Sequence, residues 1–475
     1  MQSLVTYLGE KGYTILKEGL GVKEQQFLRE SLSVRPFIPK SPIQPEAFPV
    51  YRESQKKFYV PRYFGLETYG IHDDVRIKDG IDINVDFKGE LRDYQTTIVN
   101  KYIGHISDDK GGGLLEVPCG RGKTVIALKI LSQIRKKTLI VVHKSFLLNQ
   151  WIERISMFLP SAKVGKIQGQ IVDIKDKDIV IGMLQSLSMK EYPQDMFGDF
   201  GLTIVDECHH IGAEVFIRSL FKVVTKHTLG LSATMTRKDG LTKVFKMFLG
   251  DVVYSEKRDG HDNVLVKAIQ YDNSDEEYSE TQLDYRGNPQ YSTMITKICN
   301  FNLRSEFILK VLSDTLSEEP SQQVIILAHN KSLLTYFYKA IEHRGIASVG
   351  YYIGGMKEKD LKVSETKKVI VATYAMAAEA LDIKTLTTLI MATPKTDVTQ
   401  SIGRILRSKD HNPVVFDIVD KHDIFQNQWR KRKAFYKKEN YKIVFSNDYD
   451  SNSWTTLCEP GDKQNKCSRK CLIKL

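Results

Sequence analysis

The 475-residue chain predicts an α/β protein built from two tandem parallel-sheet domains. Short apolar runs rich in β-branched residues alternate with helix-compatible stretches from Leu91 to about Leu249, and the alternation restarts at Val324. Strands covered on both faces by crossover helices read this way. The length also exceeds what one ordinary core organises and suits two domains with attachments.

The elements follow in order. Residues 1–88 lack the alternation and carry Pro36, Pro39, Pro42, Pro45 and Pro49, which predicts an accessory segment lying along the first domain. That domain spans 89–250, with strands expected at 114–117, 138–142, 179–182, 202–205 and 228–231. The run Asp272-Asn273-Ser274-Asp275-Glu276-Glu277 and the turn signal Arg286-Gly287-Asn288-Pro289 predict a connector with some helix over 251–300. The second domain spans 301–445, with strands at 324–328, 369–372, 389–392 and 414–419. A polar run from Ser446 to Ser453 predicts a mobile tail over 446–475.

A formal net charge of +11 and a pI near 9.0 favour a polyanionic partner, nucleic acid first, although a basic surface also serves solubility. With 41% hydrophobic residues the chain can bury real cores, which argues against wholesale disorder. Of six cysteines only Cys458, Cys467 and Cys471 cluster, the usage of a reduced, intracellular protein, cytoplasmic or nuclear. The first residues show no basic stretch followed by an apolar core, and no later apolar run is long enough to cross a bilayer. Secretion and membrane insertion are therefore not expected.

The chemistry starts where the run 114–117 meets Pro118-Cys119-Gly120-Arg121-Gly122-Lys123-Thr124 and a helix-compatible stretch follows at once. Strand, glycine loop and helix are the setting of a phosphate loop: the backbone wraps the anion, Lys123 offsets β/γ-phosphate charge, and Thr124 can hold magnesium. The motif is abbreviated, with Val117 where the longer pattern has its first glycine. Ile204-Val205-Asp206-Glu207 sets two carboxylates at another strand's C-terminal end, where ligands sit in open α/β sheets. Asp206 suits magnesium and Glu207 suits orienting and deprotonating a water; the plainer reading is a solvated acidic turn.

In their order these segments resemble the superfamily 2 helicases and translocases of the DExH type. Leu91-Arg92-Asp93-Tyr94-Gln95, Ser232-Ala233-Thr234, Thr373 with Ala378-Glu379-Ala380-Leu381-Asp382, and Gln400-Ser401-Ile402-Gly403-Arg404-Ile405-Leu406-Arg407 complete the set. The closer likeness is to the XPB-type branch, with its UvsW-like, bacterial and large-DNA-virus members. It is carried by Val117-Pro118-Cys119-Gly120, the stretch from Val142 to Trp151, and Ala233 to Gly240. The resemblance implies two RecA-like domains using ATP and Mg2+, and DNA-directed movement from 3′ to 5′. It implies adenine contact by Gln95, a nucleotide contact by Asp382, coupling through His209, Ser232 and Thr234, and phosphate-reaching groups at Gln400, Arg404 and Arg407. Lys238 departs from the Arg-Glu-Asp element of XPB itself, and Ala380 stands where many relatives have glycine.

For nucleic acid, Lys144, Gln185, the His329-Asn330-Lys331 stretch and Thr373 stand at expected strand ends, where sequence-independent backbone contacts fit; each alone also reads as loop capping. Trp151 is expected to pack its helix rather than stack a base. Arg430-Lys431-Arg432-Lys433 and Lys437-Lys438, interleaved with Trp429, Phe435 and Tyr436, predict an amphipathic helix with one basic face, suited to phosphate, to nuclear import, or simply to solvent. Cys458, Cys467 and Cys471 lack a nearby histidine and would need a fourth ligand to hold zinc. The expected partner is DNA; the alternatives are an RNA-directed helicase of the same superfamily and an ATP-dependent switch subunit of a transcription or repair complex that does not unwind.

Overall fold

The computed structural model describes the chain except residues 1–3, 38–42, 108–110, 119, 194, 209–212, 236–239, 257–263, 380–382, 384, 399–401, 403–411 and 462–475. It divides into two compact units, Met1–Lys257 and Arg258–Leu475.

The first unit opens with short strands: β1 (Thr6–Gly9), β2 (Gly12–Leu16), β3 (Ser33–Val34), β4 (Phe48–Pro49), β5 (Arg52–Glu53), β6 (Lys57–Val60) and β7 (Asp74–Val75). Five of them form a sheet in the order β5-β6-β2-β1-β7, while β3 and β4 pair as a separate ribbon. The β1–β2 hairpin needs glycine at position 12, where φ is +97° and a Cβ would lie 2.7 Å from the Val60 carbonyl oxygen. Tyr13, Ile15, Phe58, Val60 and Phe64 from this region share one apolar core with Phe216, Phe221, Phe245 and Phe248. Residues 1–88 are thus seated on the first parallel sheet through a continuous core, and Tyr63 Oη lies 3.2 Å from Thr228 Oγ1 on that sheet.

That sheet comprises β8 (Gly112–Glu116), β9 (Thr138–Val142), β10 (Val164–Gln168), β11 (Ile171–Val172), β12 (Ile179–Met183), β13 (Leu202–Val205), β14 (His227–Ser232) and β15 (Val252–Ser255). The order is β11-β10-β12-β9-β13-β14-β8-β15, and every pairing is parallel except that of β10 with β11. The central strands are buried along their whole length, as their unbroken apolar runs require.

The second unit repeats the design with β16 (Leu265–Tyr271), β17 (Val324–Ala328), β18 (Val349–Tyr352), β19 (Val369–Thr373), β20 (Thr388–Met391), β21 (Val414–Asp420), β22 (Lys442–Ser446) and β23 (Thr455–Cys458). Its order is β18-β19-β17-β20-β21-β16-β22-β23, parallel except for β22 with β23.

Two expected boundaries are corrected. The range 251–300 contains the division between the two units, after Lys257, but most of its described residues belong to the sheets and cores: β15 extends the first sheet, β16 lies between β21 and β22 of the second, and helix Tyr291–Asn300 sends Met294, Ile295 and Ile298 into the second core. The charged flanks of this region masked a seven-residue strand with buried Val266, Ala268, Ile269 and Tyr271. The polar run after Phe445 is a chain reversal rather than the start of a mobile tail. Ser446 and Ser451 hydroxyls both donate to the Asp448 carbonyl, and β23 then returns along β22.

Two ion pairs lie inside the second unit. Arg304 forks onto Asp420 (Nε–Oδ1 2.6 Å, Nη2–Oδ2 2.8 Å) and donates to the Ala392 carbonyl, while Tyr278 Oη donates to the same carboxylate. Arg432 forks onto Asp417 at 2.8 Å through both Nε and Nη2, with Tyr436 Oη as a third donor. Both carboxylates stand on β21 and are buried.

Candidate nucleotide site and strand-end edge

Because β8, β14, β13, β9 and β12 run parallel in adjacent register, the residues following them emerge at one edge of the first sheet. The phosphate-loop segment leaves β8, Asp206 and Glu207 leave β13, Ser232 ends β14, and Lys144 and Gln185 follow β9 and β12. Sequence-distant motifs are brought together by sheet order alone.

The loop is held open by backbone geometry. Gly120 and Gly122 take φ of 85° and 77°, in the left-handed region, and helix Lys123–Ile134 begins directly after them. A Cβ at Gly122 would meet Gln95 Nε2 at 2.5 Å, because that amide donates to the Arg121 carbonyl (3.1 Å). Gln95 Oε1 accepts from Arg92 N–H, and Tyr94 Oη also donates to the Arg121 carbonyl. The expected adenine-reading segment is therefore fastened to the loop. Arg121 lies over the Tyr94 ring and forms an ion pair with Glu256. Thr124 is half-buried in the first helical turn.

Lys123 Nζ meets Glu207 Oε1 at 2.7 Å, with both side chains mostly buried. Glu207 itself has φ of 48°, a left-handed conformation that costs a β-substituted residue about 1–2 kcal/mol. Asp206 is buried, and its Oδ2 accepts from Trp151 Nε1 at 2.9 Å. Burial and then the adjacent Glu207 charge raise the Asp206 pKa, opposed by Lys123 and by the indole hydrogen bond. Two carboxylates thus share one ammonium in a poorly solvated position. That donor set suits a divalent cation, whose charge would favour the ionised form of Asp206. Burial pushes the Cys208 thiol up to about 12, making it a neutral core group.

Ser232 and Thr234 are bound to each other: the Ser232 hydroxyl donates to the Thr234 carbonyl, and Thr234 N–H donates back to Ser232 Oγ. Glu116, at the end of β8, anchors the segment by accepting from Met235 N–H at 2.8 Å. Gln185 donates to the His143 carbonyl (3.1 Å), which sets it beside Lys144, whose pKa is lowered by burial. In the second unit Thr373 ends β19. His329 is bonded to Thr393 Oγ1, and burial and then Lys395 lower its pKa to about 4, so it is a neutral ring rather than a phosphate-binding cation. Cys119, His209, Asp382, Gln400, Arg404 and Arg407 lie outside the described residues. Among the described residues no cluster of three or more acidic, histidine or cysteine side chains could hold a metal ion, and no helix is long and apolar enough to cross a membrane.

Residues 88–237 match the family described as the type III restriction enzyme, res subunit. Over 457 residues the chain is 34% identical to "Putative ATP-dependent RNA helicase L396" of Acanthamoeba polyphaga mimivirus, covering 93% of this chain and 87% of that protein. The chain belongs to the superfamily 2 helicases of large-DNA-virus type.

The helicase is also 28% identical to "Putative helicase 161L" of Invertebrate iridescent virus 6, covering 76% of its own length and 85% of that relative. It is 22% identical to "DNA 3'-5' translocase XPB2" of Sulfurisphaera tokodaii, covering 78% and 92%. Its two parallel-sheet units are tandem RecA-like domains, and it is an ATP-hydrolysing, nucleic-acid-binding enzyme. Trp151 is the site residue that sequence reasoning undervalued: it packs the helix of this helicase as expected, yet its indole N–H is spent on Asp206. A buried tryptophan generally needs such an acceptor, which was the available signal. Trp151→Phe keeps an aromatic ring but deletes the donor and leaves a void at a fully buried position. It is expected to destabilise the first unit by about 1.5–3 kcal/mol, the worth of a hydrogen bond to a charged group, measured by urea unfolding.

Proposed function

We propose that the helicase is a DNA-directed motor moving 3′ to 5′, and that ATP is hydrolysed at the edge where Lys123, Asp206 and Glu207 converge. The observation that carries this reading is the Lys123–Glu207 contact at 2.7 Å beside buried Asp206, at the mouth of a glycine loop. In this reading Lys123 leaves Glu207 for the β/γ-phosphates, and the loop that Pro118 opens would present the N–H groups of Cys119, Gly120, Arg121 and Gly122 to the same oxygens. Thr124 and Asp206 would hold Mg2+, which when bound offsets phosphate charge. Glu207, released from the ammonium, accepts a proton as water attacks the γ-phosphorus in line and the bond to the β-phosphate oxygen breaks. Arg404 and Arg407, with Gln400, would stabilise the departing charge, and Asp382 would contact the nucleotide. His209, Ser232 and Thr234 would relay the change of state, and Lys144, Gln185 and Thr373 would touch the strand.

The DNA assignment draws on the XPB-type motifs and on the similarity to a protein named as a DNA translocase. An RNA-directed reading is favoured by the name of the mimivirus relative. ATPase assays with single-stranded DNA and RNA polymers separate them. DNA is expected to stimulate turnover at least ~10-fold more than RNA at equal nucleotide concentration, about 1.4 kcal/mol of discrimination. Preferential stimulation by RNA would reverse the assignment.

A further inference from the structure

The basic run near the C-terminal end of the second sheet is divided by the fold into two kinds of cation. Helix Asp423–Lys438 carries six lysines and arginines against one acid. Arg432 turns inward and is consumed by Asp417. Arg430, Lys431, Lys437 and Lys438 are exposed, and the positions i, i+1, i+7 and i+8 place them on one face. Arg430 bonds only the neutral Asn427 side chain, and among the described residues none of the four forms an ion pair. Other exposed cations of this unit do find acids: Lys310 with Asp450, Arg344 with Glu306, Lys421 with Asp272. The helix dipole accounts for Lys437 and Lys438 in the last turn. It does not account for Arg430 and Lys431, two turns earlier.

The rings on this helix face the other way. Phe425, Trp429 and Tyr436 are buried and Phe435 is half-buried, so the exposed face offers charge with no fully exposed ring as a stacking platform. Single-stranded sites combine a basic groove with aromatic surfaces for bases, whereas a duplex presents only phosphates at regular spacing. The two pairs of cations are separated by seven residues, ~10.5 Å along a rigid axis, close to three nucleotide steps of one duplex strand at ~3.4 Å each. Reading the run as an extended import peptide would require unwinding the helix and breaking the buried Arg432–Asp417 pair.

We propose that Arg430, Lys431, Lys437 and Lys438 form a docking stripe for the phosphate backbone of duplex DNA, in addition to the strand-end contacts. The stripe rests on the DNA-directed reading above and deepens it, giving the motor a grip on duplex. The test is equilibrium binding of the full-length protein to blunt duplex DNA, without nucleotide, over a range of salt concentrations. Changing all four residues to Gln is expected to weaken binding at least ~10-fold near 0.1 M salt and to flatten the slope of log K against log salt by up to ~3.6, the value for four phosphates. Stimulation of ATPase by single-stranded DNA is expected to stay unchanged. A control replaces Lys339, Lys357, Lys359 and Lys362, exposed cations elsewhere in the unit, with Gln. A wild-type slope in the stripe variant, or an equal loss in the control, overturns the stripe. Tighter wild-type binding to duplex RNA than to duplex DNA overturns the choice of occupant. A wild-type protein whose ATPase ignores DNA is a failure of the functional reading itself, and the ATPase arm reports it separately.

Discussion

Lys123→Ala is expected to lower ATP turnover by at least ~10²-fold while the thermal unfolding of the protein stays close to wild type. The expectation comes from the position of this ammonium, at the start of the helix after the glycine loop and 2.7 Å from Glu207. Its charge opposes the rise that burial and Glu207 impose on the Asp206 pKa. Removing it leaves two adjacent carboxylates in a poorly solvated place and takes away the group that would balance triphosphate charge. The fold survives because the pair sits at a sheet edge rather than within the core. Steady-state ATPase with and without DNA, beside a melting curve, checks both halves. Retained DNA-stimulated turnover would remove Lys123 from the site.

Asp420→Ala is expected to destabilise the second unit by about 3–5 kcal/mol, enough to consume much of a domain's stability. The carboxylate accepts from Arg304 Nε and Nη2 and from Tyr278 Oη, and Arg304 and Asp420 are fully buried. Truncation strands a guanidinium in the interior with, among the described residues, only the Ala392 carbonyl as its remaining hydrogen-bond acceptor. Removing both charges, as Asp420→Leu with Arg304→Met, is expected to recover most of the loss, because the apolar pair carries no desolvation cost. Urea unfolding of the single and double variants measures the coupling. Additive effects would show that the pair does not act as a unit.

The large sheets were legible because their strands are unbroken apolar runs: 138–142 and 202–205 appear as β9 and β13 without adjustment. Sheet order sets Lys123, Asp206, Glu207 and Ser232 at the ends of neighbouring parallel strands. Short strands were harder to read. The two-residue pairings of β5 and β7 follow from neighbours across the sheet rather than from local pattern, so residues 1–88 gave no alternation to find. β16 was hidden because Lys267 and Gln270 interrupt its apolar face and charged segments flank it. The ion pairs were invisible for another reason. Arg304 and Asp420 stand 116 residues apart, and Arg432 lay in a run that reads as surface charge until Asp417 is placed beneath it. Trp151 belongs with them, since its acceptor is 55 residues away, just past the end of a strand whose neighbour is fixed only by sheet order.

The central claim, that ATP hydrolysis at the first unit's strand-end edge drives movement along DNA, is tested most directly by strand displacement on duplexes carrying either a 3′ or a 5′ single-stranded tail. The motor is expected to separate the 3′-tailed DNA duplex in the presence of ATP and magnesium, with the activity lost in Lys123→Ala. Equal displacement of both substrates, displacement only from the 5′ tail, or activity that persists in Lys123→Ala would contradict it.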